Sequence, residues 1–294
     1  MKFTTVLLLI GQICAMTFGE VFKKKFTKKS PFLLSLICLS SALLTFVVIF
    51  FIQNGFDFSG YSLNLLKFAI PFGTCFAIST IFSILALELG DLSLTGLFVS
   101  FSLILPTLYG IIFLGDSVNV LFYIGLTLFF ASLILVNLKF GKGAKKRKPI
   151  TIKWLIFVAL SFFSNGFCCI FQTMQQKAYN GQCGSELMIT ALSLAVVILI
   201  VATLITERKN IKTATPSALI WGAPSGFLIA MSNFIVMLFT GGNLMPVAIF
   251  FPVISGGGLI LTFILGRLIY KEKYLALQYV GIALGFVSII LLNL

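Results

Sequence analysis

Histidine is absent from this 294-residue sequence, and charge is scarce: charged residues make up 10%, against roughly 25% in soluble domains. Without histidine the commonest metal ligand and the usual general base near neutral pH are both missing. No Asp pair and no Ser/Lys pair stands inside an apolar run to replace it, which argues against an intramembrane enzyme. A Gly-x-x-x-x-Gly-Lys-Ser/Thr phosphate loop is also missing, so any transport would draw on a gradient rather than on ATP. No charged ring or carbonyl filter sequence marks a channel. No metal-ligand spacing occurs and no cofactor is expected. Acids are fewer than bases, 8 against 21, for a net charge of +13. In a soluble chain that excess would point to nucleic acid. Here the bases gather in short clusters between apolar runs, the pattern of cytoplasmic loops, and nucleic acid is not an expected partner.

What is abundant is hydrophobicity, 59% of residues with a mean hydropathy of +1.12, which excludes a water-soluble fold. The 33 Phe fit a lipid-facing chain better than a ligand box. Cys14, Cys38, Cys75, Cys168 and Cys169 fall inside apolar runs, where thiols behave as small hydrophobes rather than a disulfide framework. Residues 1–20 could pass for a signal peptide. The run continues to Phe22 and stops at Lys23-Lys24-Lys25, so it reads as a first membrane helix.

Crossing the hydrocarbon takes about 20 apolar residues. The qualifying runs are Thr4 to Phe22, Pro31 to Ile52, Leu63 to Leu87, Leu92 to Leu114, Asn119 to Leu138, Trp154 to Gln175, Leu187 to Ile205, Ala218 to Phe239, Leu244 to Leu268 and Leu275 to Leu292. The expected fold is therefore an all-α integral membrane protein of ten transmembrane helices. Of the 21 Lys and Arg, 18 lie in the loops after helices one, five, seven and nine; the other side holds only Lys2, Lys67 and Lys177. The positive-inside rule then predicts a multi-pass protein of the plasma membrane, with both termini outside and the basic linker 139–152 in the cytoplasm. That linker reads as a topology determinant between the halves ahead of the other reading, a polybasic lipid-binding tract.

The chain also repeats itself. One shift of 156 residues places Gly110 on Gly266, Asp116 on Glu272, Tyr123-Ile124-Gly125 on Tyr279-Val280-Gly281, Ser132 on Ser288 and Asn137-Leu138 on Asn293-Leu294. The first helices match weakly, with only Lys24 and Lys177 suggesting a register. The division is a first five-helix repeat at 1–138, the linker, and a second five-helix repeat at 153–294. Five is odd, so the halves enter the membrane in opposite orientation, as the alternating loop charge also requires. Inverted repeats place a binding site near the midplane, and rocking about it gives alternating access.

The segment Val247-Ala248-Ile249, Gly256-Gly257-Gly258, Gly266, Glu272, Tyr279-Val280-Gly281 and Leu291-Leu292-Asn293-Leu294 is similar to the last two helices of small multidrug resistance proteins. In helix number and these motifs the chain resembles the drug/metabolite transporter superfamily, ten-helix EamA-type branch. The resemblance implies a basket of two inverted repeats. Its central cavity would be lined by helices one, three, four, six, eight and nine, with helices five and ten packed together outside. One departure stands out: Ala15 occupies the place of the membrane carboxylate of small multidrug resistance proteins, and Glu20 lies nearer the helix end.

Few charges stand at depth. Glu88, Asp91, Asp116, Arg267 and Glu272 sit at predicted helix ends, and Glu20 is a candidate for coupling or gating, or a cap among lysines. Polar residues supply the candidates for substrate binding. Ser161, Asn165, Cys168, Gln172 and Gln175 or Gln176 form one stripe on helix six. Trp221, Ser225, Ser232, Asn233 and Thr240 lie on helix eight, and Gln12, Ser79, Ser83, Ser100 and Ser255 on helices one, three, four and nine. Each of these could instead be hydrogen-bonded glue between helices. Pro106, Pro224, Pro246 and Pro252 could break helices at a site or merely kink them. Gly281-x-x-x-Gly285 fits packing on helix five or dimerisation, so a monomer and a homodimer both stay open. The expected function is secondary-active transport of a small neutral or zwitterionic metabolite, such as an amino acid, sugar or nucleoside-like compound. The alternatives are a proton-coupled multidrug or cation exporter and a non-transporting membrane scaffold. Apart from the substrate, the bilayer is the one partner expected.

Overall fold

The computed structural model describes residues 3–24, 30–89, 95, 98–99, 101–137, 151–208, 211–269 and 275–292. The side chains of 23, 24, 136, 137, 212, 213, 266, 267 and 269 are not described. Among the described residues regular structure is all helical: α1 (Phe3–Lys24), α2 (Pro31–Asn54), α3 (Leu63–Leu89), α4 (Ile104–Phe113), α5 (Val120–Asn137), α6 (Ile152–Ala178), α7 (Gly184–Thr206), α8 (Ile211–Gly241), α9 (Val247–Ile269) and α10 (Ala276–Leu292). Seven helices are long and apolar enough to cross a membrane, namely α1, α2, α3, α6, α7, α8 and α9. Their exteriors carry bare apolar side chains such as Leu7, Val48, Ile52, Val201 and Ile220. A bilayer tolerates such a surface because helices satisfy their own backbone groups.

The helices agree with the expected spans to within a few residues, except where polar residues extend them. Helix α6 begins at Ile152 and runs on to Ala178; α8 starts at Ile211 and continues through Pro216 and Pro224. The fourth span is interrupted. Ser102 and Leu103 form a turn before α4. Pro106, four residues after Ser102, has no N–H to give back to the Ser102 carbonyl.

The chain forms two compact units that do not follow its linear halves: residues 1–81 with 167–244, and 82–166 with 245–294. In the first unit, α1, α2, α7, α8, most of α3 and the end of α6 pack together. Two glycines set the spacing. A Cβ at Gly73 on α3 would overlap the Ala191 carbonyl of α7, and a Cβ at Gly226 on α8 would overlap the Cys38 carbonyl of α2. Only a bare Cα lets backbones come this close. Leu33, Leu34, Cys38 and Ala218 form the buried seam of α2 on α8, with Trp221 packed against it.

In the second unit α5 packs on α10, as expected. Gly285 approaches Ser132, and Gly125 approaches Ser288 and Leu291. Gly281-x-x-x-Gly285 thus has an intrachain partner: both glycines are buried. Phe101 and Phe130 stack edge to face between the fourth and fifth spans, and the Trp154 indole donates to Thr95 Oγ1 at 3.1 Å. Asp116 was expected at a helix end, and its Oδ2 accepts from the Ala248 N–H at 2.9 Å, capping α9. All six cysteines are free.

Candidate functional site

Polar side chains in the first unit follow two patterns. One ties helices together. Gln12 of α1 is 1% exposed, and its Nε2 donates to Ser232 Oγ of α8 at 2.9 Å. Ser225 donates to the Gly19 carbonyl at 2.8 Å, so α1 and α8 are joined at two levels. Asn233 gives its amide to Ile229 O of its own helix, and its backbone carbonyl accepts from Gln172 Nε2 at 3.3 Å. Gln12, Ser232, Asn233 and Gln172 are thereby joined across α1, α8 and α6, while Gln12 Oε1 is buried with no partner among the described residues. Ser79 is buried on α3. Trp221 is half-buried, its ring centroid 6.1 Å from that of Phe22. Glu20 is exposed near the end of α1.

The second unit holds two more of the expected residues. Asn165 of α6 donates to Ser102 Oγ at 2.6 Å, and Ser102 Oγ donates to Val99 O at 2.5 Å. The amide therefore holds the broken stretch of the fourth span. Gly166 beside it leaves room for Leu105 and the Ser102 carbonyl. One turn or so earlier, Ser83 and Ser161 share a 2.5 Å hydrogen bond. Ser255 is buried on α9. Ser100, Asp91 and Glu272 lie outside the described residues.

The second pattern opens to the surface. The polar stripe of α6 ends in three glutamines. Gln175 Nε2 donates to the carbonyls of Gln182 at 2.9 Å and Cys183 at 3.4 Å, and so supports the loop between α6 and α7. That loop turns through left-handed residues Asn180, Gly181 and Cys183. With its NH₂ so used, Gln175 presents Oε1 to Gln176 Nε2 at 2.6 Å. Gln176 is 1% exposed, and this chain of amides leaves its Oε1 with no hydrogen-bond partner among the described residues.

Gln176 lines a pocket of about 690 Å³ with Asn54, Asp57, Glu186, Phe234 and Met237. Glu186, in the first turn of α7, is 2% exposed. Asn54 Nδ2 donates to its Oε1 at 2.6 Å and Ser185 Oγ to its Oε2 at 3.0 Å. Gly60 lets the 55–62 loop lie over the carboxylate; a Cβ there would be 2.5 Å from Oε1. Phe58 and Tyr61 hold that loop by stacking on Phe50. Burial pushes the Tyr61 hydroxyl and the Cys183 thiol above their ordinary pKa values, and the Glu186 charge adds to both. Asp57 is exposed, and the Ser59 N–H and hydroxyl hold its carboxyl below the ordinary value.

Glu186 and Glu207 are the functional groups missed by the sequence reading. The span was started at Leu187 and ended at Ile205, which left both acids in the flanks. Yet Glu207 is only 9% exposed. Its two oxygens accept from the backbone N–H groups of Phe32 and Leu33, each at 3.0 Å, and so cap α2. Ser30, the expected cap by position, makes no side-chain cap bond. The available signal was an acid directly beside an apolar run at each end of one helix.

No protein-family model matches the sequence, and no curated protein matches it either. Among solved structures 28 chains match. One crystal structure superposes with a TM-score of 0.74 over 99% of this chain and 96% of its own, at 10% identity. At that identity the likeness is one of fold.

Proposed function

We propose that this protein is a secondary-active transporter of a small neutral or zwitterionic metabolite, built as two inverted five-helix repeats of the EamA type and working by alternating access. A repeated contact carries the reading. Gly73 and Gly226 are 153 residues apart, and so are their acceptors, Cys38 and Ala191. The contact of α3 on α7 thus recurs as α8 on α2. The same offset relates Lys24 to Lys177, the only register visible in the first helices of the sequence. Inverted repeats that pack through equivalent contacts can exchange two conformations about a fixed site. The transported compound would meet amides and hydroxyls, with Gln12, Ser79, Ser100, Asn165, Gln172, Ser225, Asn233 and Ser255 as its hydrogen-bond partners, Trp221 as an aromatic wall and Glu20 as the gate. The orphaned Gln12 Oε1 supports this, because a buried acceptor without a donor costs roughly 1–3 kcal/mol unless a water or a ligand fills it.

The test is thermal unfolding in detergent against amino acids, sugars, nucleosides and quaternary ammonium drugs, followed by uptake into proteoliposomes. Stabilisation and uptake of a neutral or zwitterionic compound, both lost in Asn165→Ala or Asn233→Ala, are expected. A response confined to lipophilic cations and abolished by Glu20→Gln would replace this reading with the drug exporter. No uptake of any compound would leave the scaffold.

A further inference from the structure

The pocket around Glu186 is an acidic place in a basic protein. Its lining holds two carboxylates, Asp57 and Glu186, and no lysine or arginine, although the chain carries 21 such residues and a net charge of +13. Lys177, on the neighbouring end of α6, gives its Nζ to Asn243. Both partners of Glu186 are neutral, so its carboxylate is buried without a cation among the described residues. A buried carboxylate offers about four acceptor positions, and hydrogen bonds from Asn54 and Ser185 occupy two. Gln176 Oε1, on a residue that lines the pocket, adds a second acceptor with no donor among the described residues. The amide orientation follows from the carbonyls that Gln175 must serve, so it is the oxygen that is left over. The lining also has an apolar, polarisable part: Phe234 and Met237 line the pocket, and Met237 Sδ lies beside Gly184, as does Gln176 Nε2.

Surplus acceptors and negative charge, with an aromatic ring and a thioether in the same lining, call for a ligand with several N–H donors, a positive charge and a short apolar stem. We propose that this pocket binds the primary ammonium group of a small organic amine. Glu186 is the counter-ion, Gln176 Oε1 a second acceptor, and Phe234 and Met237 pack on the alkyl part. Asp57 at the exposed rim attracts the cation without touching it. The site stands on the pocket itself and does not depend on transport.

The experiment is calorimetric titration of the full chain in detergent with n-propylammonium, 1-propanol and tetramethylammonium, in wild type, Glu186→Gln, Gln176→Met and Asp57→Asn. Saturable binding of n-propylammonium is expected, with 1-propanol inert and tetramethylammonium at least tenfold weaker because it has no N–H. Glu186→Gln should weaken binding at least tenfold, Gln176→Met severalfold and Asp57→Asn about twofold, the last only at low salt. Equal binding of 1-propanol, or unchanged affinity in Glu186→Gln, overturns the assignment. Should Glu186→Gln fail to fold, wild-type Cys183 serves instead: it lines the same pocket, so n-propylammonium must slow its alkylation by maleimide and 1-propanol must not. Ammonium binding without uptake of any compound would sink the transporter and keep this site. Uptake of a neutral metabolite with no ammonium binding would do the reverse.

Discussion

The two ends of the α2–α7 pair solve one problem in two ways. These helices are antiparallel, so at each end the start of one meets the finish of the other. Under the proposed repeat the 153-residue offset pairs the two ends: Asn54 falls on Glu207, and Leu33 on Glu186. At one end Glu207 reaches across and spends both oxygens on the main-chain N–H groups of Phe32 and Leu33. At the other the acid sits on the starting helix itself, and Asn54 reaches across with a side-chain amide. Both acids lie at a helix N-terminus, where the backbone dipole favours negative charge. They differ in their donors. Each acid accepts one bond per oxygen, but the main-chain donors to Glu207 are fixed by the helix, whereas Glu186 is held by side chains that can turn, and a pocket opens beside it.

Breaking the structural end should have the largest effect. Glu207→Leu strands two N–H groups at the start of α2 and is expected to cost about 3 kcal/mol, read as a lower unfolding midpoint in detergent. A variant as stable as wild type would show that Ser30 can take over the cap. The equivalence of the repeats is sharpened by Gly73→Ala and Gly226→Ala, each expected to cost about 2 kcal/mol because the new methyl meets backbone carbonyl rather than a movable side chain. If one were silent and the other severe, the two contacts would not be equivalent.

At the open end effects on stability are smaller. Gly60→Ala places a methyl against the Glu186 carboxylate and the Cys183 sulfur. The loop can shift, so about 1 kcal/mol is expected, with ammonium affinity reduced alongside. Proteolysis within 55–62 should quicken if the loop lifts, and an unchanged rate would place the strain elsewhere. The finest probe is the Cys183 thiol, which burial and then the Glu186 charge hold above its ordinary pKa. A raised pKa means less thiolate at a given pH, so alkylation of Cys183 should lag a free cysteine through the mildly alkaline range. Glu186→Gln removes the charge and leaves the burial, so the curve should move partway back. No movement would mean that burial alone holds the thiol up.

Much of the fold was legible because the bilayer imposes a simple code. Runs such as Pro31 to Ile52 and Leu63 to Leu87 are long and apolar enough that length alone marks them, and the helices α2 and α3 begin where Pro31 and Leu63 predict. A close neighbour at Gly285 was legible, since glycine on a helix face signals one, but whether it was α5 or a second copy was not; the packing of α5 on α10 was implied by the family resemblance alone. The interruption at Ser102 was legible only as a possibility from Pro106, because the same proline fits a kink. Of the candidate site, the α6 stripe was visible as a period of polar residues, and Gln172, Gln175 and Gln176 are all buried. The period could not say which of them tie helices and which face a pocket. Burial of Glu186 and Glu207 was illegible, since each stands outside an apolar run and hydropathy treats every such residue as a flank.

Sequence by itself determined the apolar, all-helical character of the chain and the place of most helices, because each is written in local composition and spacing. Only the tertiary structure decided what the polar groups do. A glutamine or a carboxylate is glue, cap or site according to which donors lie within about 3 Å. The partners that decide this lie 132 to 220 positions away, Asn54 as the donor to Glu186 and Ser232 as the acceptor from Gln12.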